Sequence, residues 1–431
     1  MRPLTRRSFL GAIAASPLLA DSRSPFSAGD DRLLEDVSKR AFRYFWEQAD
    51  PHTGLVMDRT RVDGFAKDRA RDIASMASTG FALTALCIAY QRRWMDANLI
   101  RERVLITLRH LAYEQPHYLG WFYHFVNRKT GERVWDCELS SIDTALLLAG
   151  VITAQQCFVE DGDIPELAQD IYDRVDFLWM LEPSTQLMRM GWKPVTGFLR
   201  SVWGNYRENV LLQMIAMSSR THPVPIGTWY RFRRDSISFD DYSFVGRGPL
   251  FTHQFPQAWL DLSGLRDGPP FHLDYFQNSV IATRAHRAYC LSLRSLYPSY
   301  SPDLWGVTAS DSEIGYVIWG AMTSRRNWDG TVVPCASGGS LMFTPDICMP
   351  ALRTMYEQFG DLIYGPYGFA DSFNPATRWV NSEVLGIDLG IVLLSAENLR
   401  TQRVWNWFMS SPDIRKTMSR LFEPNETPGR L

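Results

Sequence analysis

The chain has 431 residues, 45% of them hydrophobic, enough to bury a large core in one big domain or in two to three smaller ones. A formal net charge of −2, with Lys and Arg scattered along the chain, gives no electrostatic basis for a nucleic-acid partner. The 8 histidines form no HExxH pair and the 6 cysteines no CxxC pair, so neither a metal centre nor another cofactor is expected, and no disulfide connectivity follows from the spacing.

At the start, Thr5-Arg6-Arg7-Ser8-Phe9-Leu10 precedes a short apolar run and small residues near Ala20. This reads as a twin-arginine export signal over residues 1–28, with a plain N-terminal anchor as the simpler alternative. It leaves one domain over residues 30–425 and implies a periplasmic or secreted bacterial protein. The run is too short to span a bilayer, and no second one is long enough.

Apolar residues at helical spacing predict helices over 31–48 and 99–113, and the nearly all-apolar stretch 73–94 predicts a helix that needs neighbours on every side. Residues 120–134 read as a β-hairpin turning at Gly131. Next come Asp136, Glu138 and Asp143, three carboxylates leading into an apolar helix over 144–159. Such acids suit acid/base work or hydrogen bonds to sugar hydroxyls. The plainer reading is that Glu138 or a nearby Ser caps the helix and Asp143 satisfies buried backbone.

A helix over 164–181 and a loop or strand pair over 191–198 lead to Trp203-Gly-Asn-Tyr206-Arg-Glu208, which opens an apolar helix ending near Ser218. The helix dipole favours an ionised Glu208, whereas Trp203, Tyr206 and the apolar run favour its neutral form. Glu208 reads equally as a helix cap. His253 and Gln254 fall just before the next helix, where a structural role is the ordinary one for a His. Further helices follow over 278–296 and 345–359, and another ends near Asn398. Asp311, Asp371, Phe373, Asn374 and Trp379 lie on the intervening loops. The 15 tryptophans fall largely in Gly/Pro-rich loops, where flat rings pack against the C–H face of a sugar. About a dozen paired helices with a few short strands predict an all-α toroid whose loops build a cleft at one end.

Several stretches carry a family resemblance: Asp136 to Gly150, Trp203 to Leu212 with Thr221-His-Pro, Pro249 to Phe255, Asp274 to Ser279, Ala309-Ser-Asp with Gly315-Tyr, Ala336 to Ser340 with Phe343-Thr-Pro, and Gly368 to Asn374 with Gly386-Ile-Asp388. Together they resemble the bacterial glycoamylase-like domain, the group of glycoside hydrolase family 144, the endo-β-1,2-glucanases, and modules of cyclic β-1,2-glucan synthases. The resemblance implies an (α/α)6 barrel without a required metal that cleaves β-1,2-glucan or its oligosaccharides with inversion. It puts Glu208 at the general-acid position and Asp371 at the group that activates water. It sets Asp136, Glu138 and Asp143 along the sugar cleft, where Trp203, Tyr206, His253, Gln254, Asp311, Phe373, Asn374 and Trp379 are the other expected contacts. Leu389 stands where the pattern has Gln, and Asn209 where it has a small residue. Rival readings are a transglycosylase, an exo-acting enzyme that releases sophorose, and a non-catalytic periplasmic glucan-binding protein.

Overall fold

The computed structural model describes residues 27–64, 72–320 and 328–425. The expected export signal lies almost wholly outside the described residues. Thirteen α-helices are present among them: α1 (Ala28–Glu47), α2 (Met76–Arg92), α3 (Ala97–Tyr113), α4 (Ser141–Cys157), α5 (Ile164–Asp173), α6 (Asn209–Ser218), α7 (Phe251–Trp259), α8 (Tyr275–Ser292), α9 (Pro334–Gly338), α10 (Pro345–Ile363), α11 (Gly386–Thr401), α12 (Arg403–Ser410) and α13 (Pro412–Leu421).

Burial sorts them into two layers. Every residue of α6 and α9 is buried, and nearly every residue of α2, α4, α7 and α11. A helix apolar on all faces must be surrounded. These six segments form the inner ring: α2 packs on α4, α4 on α6, α6 on α7, α7 on α11, and α11 on α2 and α9. Gln254 of α7 ties in α9 by donating to Ala336 O (2.9 Å) and Ser340 Oγ (2.7 Å). The outer helices bury one stripe each: α1 lies against α11 and α2, α5 against α4, α13 against α6, α8 against α7 and α10 against α9. This is the expected α/α toroid.

Outer helices return the chain between successive inner ones, except from α6 to α7, where a short turn at Ile226–Tyr230 and the 236–245 hairpin do so, and the inner helices run in one direction. Their C-terminal end is plugged by α12, which packs on α2, α4, α7 and α11. Trp405 of α12 donates to Gln257 O (2.6 Å), and Asn398 to Ala258 O (2.8 Å). Their N-terminal end carries the short strand pairs: 59–61 with 383–385, 73–75 with 125–127, 139–140 with 191–192, and the hairpins 236–245 and 309–318.

Some expectations need correction. Residues 73–75 are a strand, and α2 starts after Ser75, whose side chain caps it. The hairpin turning at Gly131 is present but spans only 125–134, where Asn127 N donates to Glu132 O (2.7 Å) and Val134 N to Phe125 O (3.2 Å), because 121–122 pairs instead with 117–118. The helix from Ile164 stops at Asp173, where Val175 comes so close to Gly120 that an added Cβ would lie 2.5 Å from Val175 Cα. His253 and Gln254 lie inside α7, not before it.

Candidate active site

The inner helices present acids from their N-terminal ends. Asp143 is in the first turn of α4, Glu208 immediately precedes α6, and Asp388 is in the first turn of α11. Glu208 makes no capping bond, so the cap reading of this residue fails. It is half-buried, but its Oε2 is sealed from solvent with no hydrogen-bond partner. Burial, helped by the charge of Asp143, raises its pKa to about 7 against the opposing pull of its own backbone N–H and Arg207.

Ser140 is the cap of α4: its Oγ accepts from Asp143 N (3.2 Å) and donates to Asp143 Oδ2 (2.5 Å). Asp143 is therefore held by a side chain, not by buried backbone. His124 lies between two acids, with Nδ1 3.1 Å from Glu138 Oε1 and Nε2 3.4 Å from Asp143 Oδ1. Burial opposes the imidazolium, but Asp143 and Glu138 outweigh it and raise the His124 pKa to about 9. Its hydrogen bond pulls Glu138 below the usual carboxylate range, whereas burial leaves Asp143 raised.

Asp58 links this group to a second one, since its charge acts on both His124 and Asp143. Asp58 Oδ2 accepts from Arg59 Nε (2.9 Å), and Arg59 Nη1 reaches Asp311 (3.2 Å) and Glu383 (3.3 Å). The backbone N of Asp311 in turn donates to Asp371 Oδ2 (3.1 Å), which also accepts from Asn381 Nδ2 (2.7 Å) and Ser372 Oγ (3.2 Å). Glu208 and Asp371 thus lie at the two ends of one run of charged groups across the N-terminal face of the ring.

Asp371 is only 3% exposed, and its Oδ1 has no partner. Burial raises its pKa, partly offset by Asp388 and Asn381. Burial and the charge of Asp371 also push Asp388 well up, so the two neighbouring carboxyls titrate as a pair and resist losing both protons. A cavity of about 20 Å³, room for roughly one water, lies between them and Val37, Ala41, Leu389 and Val392. Leu389, the departure from the family pattern, makes that wall apolar.

The other expected sugar contacts are placed differently. Asp136 is exposed at the rim, paired with Arg133 (2.6 Å) and Lys193 (3.3 Å). Trp203 and Tyr206 are buried, and their polar atoms are used within the protein: Trp203 Nε1 donates to Ser141 Oγ (2.9 Å), and Tyr206 Oη meets His253 Nδ1 (3.2 Å). They brace the loop before Glu208. His253 is buried with its pKa lowered by burial to about 3, so it is neutral and no proton donor at neutral pH. Gln254 bridges two inner helices, as described above. Phe373 is buried, and Asn374 is buried with its side chain bonded to Asp329 O (3.0 Å) and Ala376 N (3.0 Å). Trp379 is half-buried on the strand paired with Asn374. The structure adds His124, Asp58, Arg59, Glu383 and Asp388 to the acids read from sequence.

With this geometry established, the chain resembles several known proteins. Residues 200–412 match the family model "Glycoamylase: Putative glucoamylase". The chain is 26% identical, over 93% of its own length, to an exo β-1,2-glucooligosaccharide sophorohydrolase (non-reducing end) of Parabacteroides distasonis, and spans 59% of that protein. Among solved structures, an endo-β-1,2-glucanase of Chitinophaga pinensis in complex with sophorotriose and glucose superposes with a TM-score of 0.85 at 24% identity, over 92% of this chain and 99% of that one. A Bacteroides fragilis protein with the same description as the family model superposes with a TM-score of 0.83 at 28% identity, over 93% and 99%. In its toroid, and in sequence over residues 200–412, the chain is similar to the glycoamylase-like family.

Proposed function

We propose that the protein is a glycoside hydrolase that cleaves β-1,2-glucan or its oligosaccharides with inversion at the anomeric carbon. Glu208 protonates the leaving oxygen, and Asp371 takes a proton from the attacking water. The observation that carries the reading is the division of labour between two carboxyls. Glu208 is poised to hold a proton near neutral pH, while Asp371, beside a water-sized cavity, is placed to accept the proton of the attacking water. Inversion requires the two carboxyls to stand roughly 6.5–9.5 Å apart so that water fits. Asp143, Glu138 and His124 supply hydrogen bonds for sugar hydroxyls beside Glu208. Support for the β-1,2 linkage comes from the names of the Parabacteroides and Chitinophaga relatives.

A second reading, release of sophorose from a chain end, is favoured by the sophorohydrolase description. The test is incubation with linear β-1,2-glucan beside other β-glucans and α-glucans, with products followed by chromatography. Turnover of β-1,2-glucan alone is expected: a ladder of products means endo action, and sophorose alone means exo action. Glu208→Gln should lose roughly 10²–10⁴-fold in kcat while still binding oligosaccharide; near-normal turnover would remove Glu208 from the mechanism. Export to the periplasm is part of the same proposal and is checked by fractionating cells that express the full chain.

A further inference from the structure

Trp135 is the one tryptophan among the described residues that stands out in solvent, at 63% exposure. The other loop tryptophans that looked like sugar contacts are buried or half-buried: Trp121 and Trp305 fully, Trp203 nearly so, Trp192 and Trp379 in part. Its backbone is also unusual. Trp135 (φ 57°) and Asp136 (φ 50°) are consecutive non-glycine residues in the left-handed region, which L side chains rarely adopt. The turn is braced against relaxing. Arg133 binds Asp136 Oδ1 (2.6 Å) and donates to Cys137 O (2.6 Å), Lys193 holds Asp136 Oδ2 (3.3 Å), and Cys137 N donates to Val134 O (3.2 Å).

The braced ring lies close to the acids. Its edge meets Phe125 at 5.1 Å and 68°, and Phe125 stacks on His124 at 3.9 Å and 15°. His124 holds Glu138 and Asp143. An exposed indole is therefore two rings from the candidate acid cluster, with Asp136, Lys193 and Arg133 around it to meet hydroxyls. One strained turn that holds a single apolar ring out in water suits a ligand with one flat C–H face and a polar edge, as a pyranose has. We infer that Trp135 is the stacking platform of a glucose subsite at the rim of the trough, beyond the units at the reacting bond. This rests on the glucan reading above. It makes Trp135 a determinant of chain-length preference that takes no part in the chemistry.

The test compares the full-length wild type with Trp135→Ala and Trp135→Tyr on linear β-1,2-glucooligosaccharides of increasing length, with circular dichroism to confirm folding. An aromatic contact of about 1.4 kcal/mol corresponds to tenfold in binding. Trp135→Ala should therefore raise KM about tenfold for long substrates, leave it unchanged for the shortest cleavable one, and leave kcat intact, while Trp135→Tyr restores most of the loss. A KM unchanged at every length, or shifted alike at all lengths, overturns the platform and leaves the hydrolase standing. A wild type that does not cleave β-1,2-glucan overturns both. As a second readout, adding oligosaccharide to Glu208→Gln should change tryptophan fluorescence, and most of that change should vanish in Glu208→Gln/Trp135→Tyr. An equal change in both proteins also overturns the inference.

Discussion

A carboxyl at the mouth of an inner helix feels two opposed effects, and in Glu208 burial outweighs the helix dipole. Its pKa rises in the folded state, so between about 4.5 and about 7 the unfolded chain has lost a proton that the folded chain keeps, and stability falls as pH rises through that window. Glu208→Gln removes the penalty. It should be more stable than wild type above pH 7 by on the order of 1–3 kcal/mol and little different near pH 4, as measured by denaturant unfolding. For the same reason kcat/KM should decline above about pH 7, where the acid has lost its proton. His124 has the opposite sign. Its pKa is raised by two carboxylates, so its contribution to stability is full below about 6.5 and lost as pH rises through about 9. His124→Gln should lower both stability and activity at pH 7, with the stability difference closing above pH 9; a gap that persists there would mean that packing, not charge, is what His124 supplies. Glu208, Glu138 and Asp143 could be picked out along the chain because acids beside apolar runs are uncommon, whereas Asp371, on a loop, was marked only by the family resemblance. His124 could not, since its partnership with Glu138 depends on the left-handed turn at Trp135 and Asp136 that folds the chain back.

The segments apolar on every face declared themselves as inner helices, since no other position covers all their sides. How closely they approach is decided by two glycines. A Cβ on Gly150 of α4 would lie 2.1 Å from Gly80 O, and one on Gly80 of α2 would lie 2.2 Å from Leu146 O. Backbone meets backbone there, so no side chain can move aside. Gly150→Ala should cost about 3 kcal/mol or more, seen as a lower unfolding midpoint or loss of soluble protein; an unchanged midpoint would mean that the two helices part freely. Element ends were less legible. Tertiary partners set them: the strand over 125–127 claims 73–75 from the start of α2, and the close approach of Gly120 to Val175 ends α5 early.

Across the molecule, parallel inner helices gather their N-terminal ends on one face, and α12 closes the other. That polarity makes one end fit for carboxylates and for the loops that carry them. With a net charge of −2 and an uncharged glucan as the proposed substrate, no long-range steering is expected. Raising salt from about 50 to 500 mM should therefore change kcat/KM by less than about twofold; a steep fall would mean a charged substrate. The amino-acid order by itself determined the layered helical body, the family pattern and which acids to suspect, because periodicity and local composition are properties of neighbours along the chain. Only the tertiary structure decided which acid keeps its proton, which tryptophan faces water, and that Arg59 and His124 join the two groups. Burial and charge pairing arise between residues far apart in the chain, such as Arg59 and Glu383, 324 positions apart and 3.3 Å from each other, and no local window contains both.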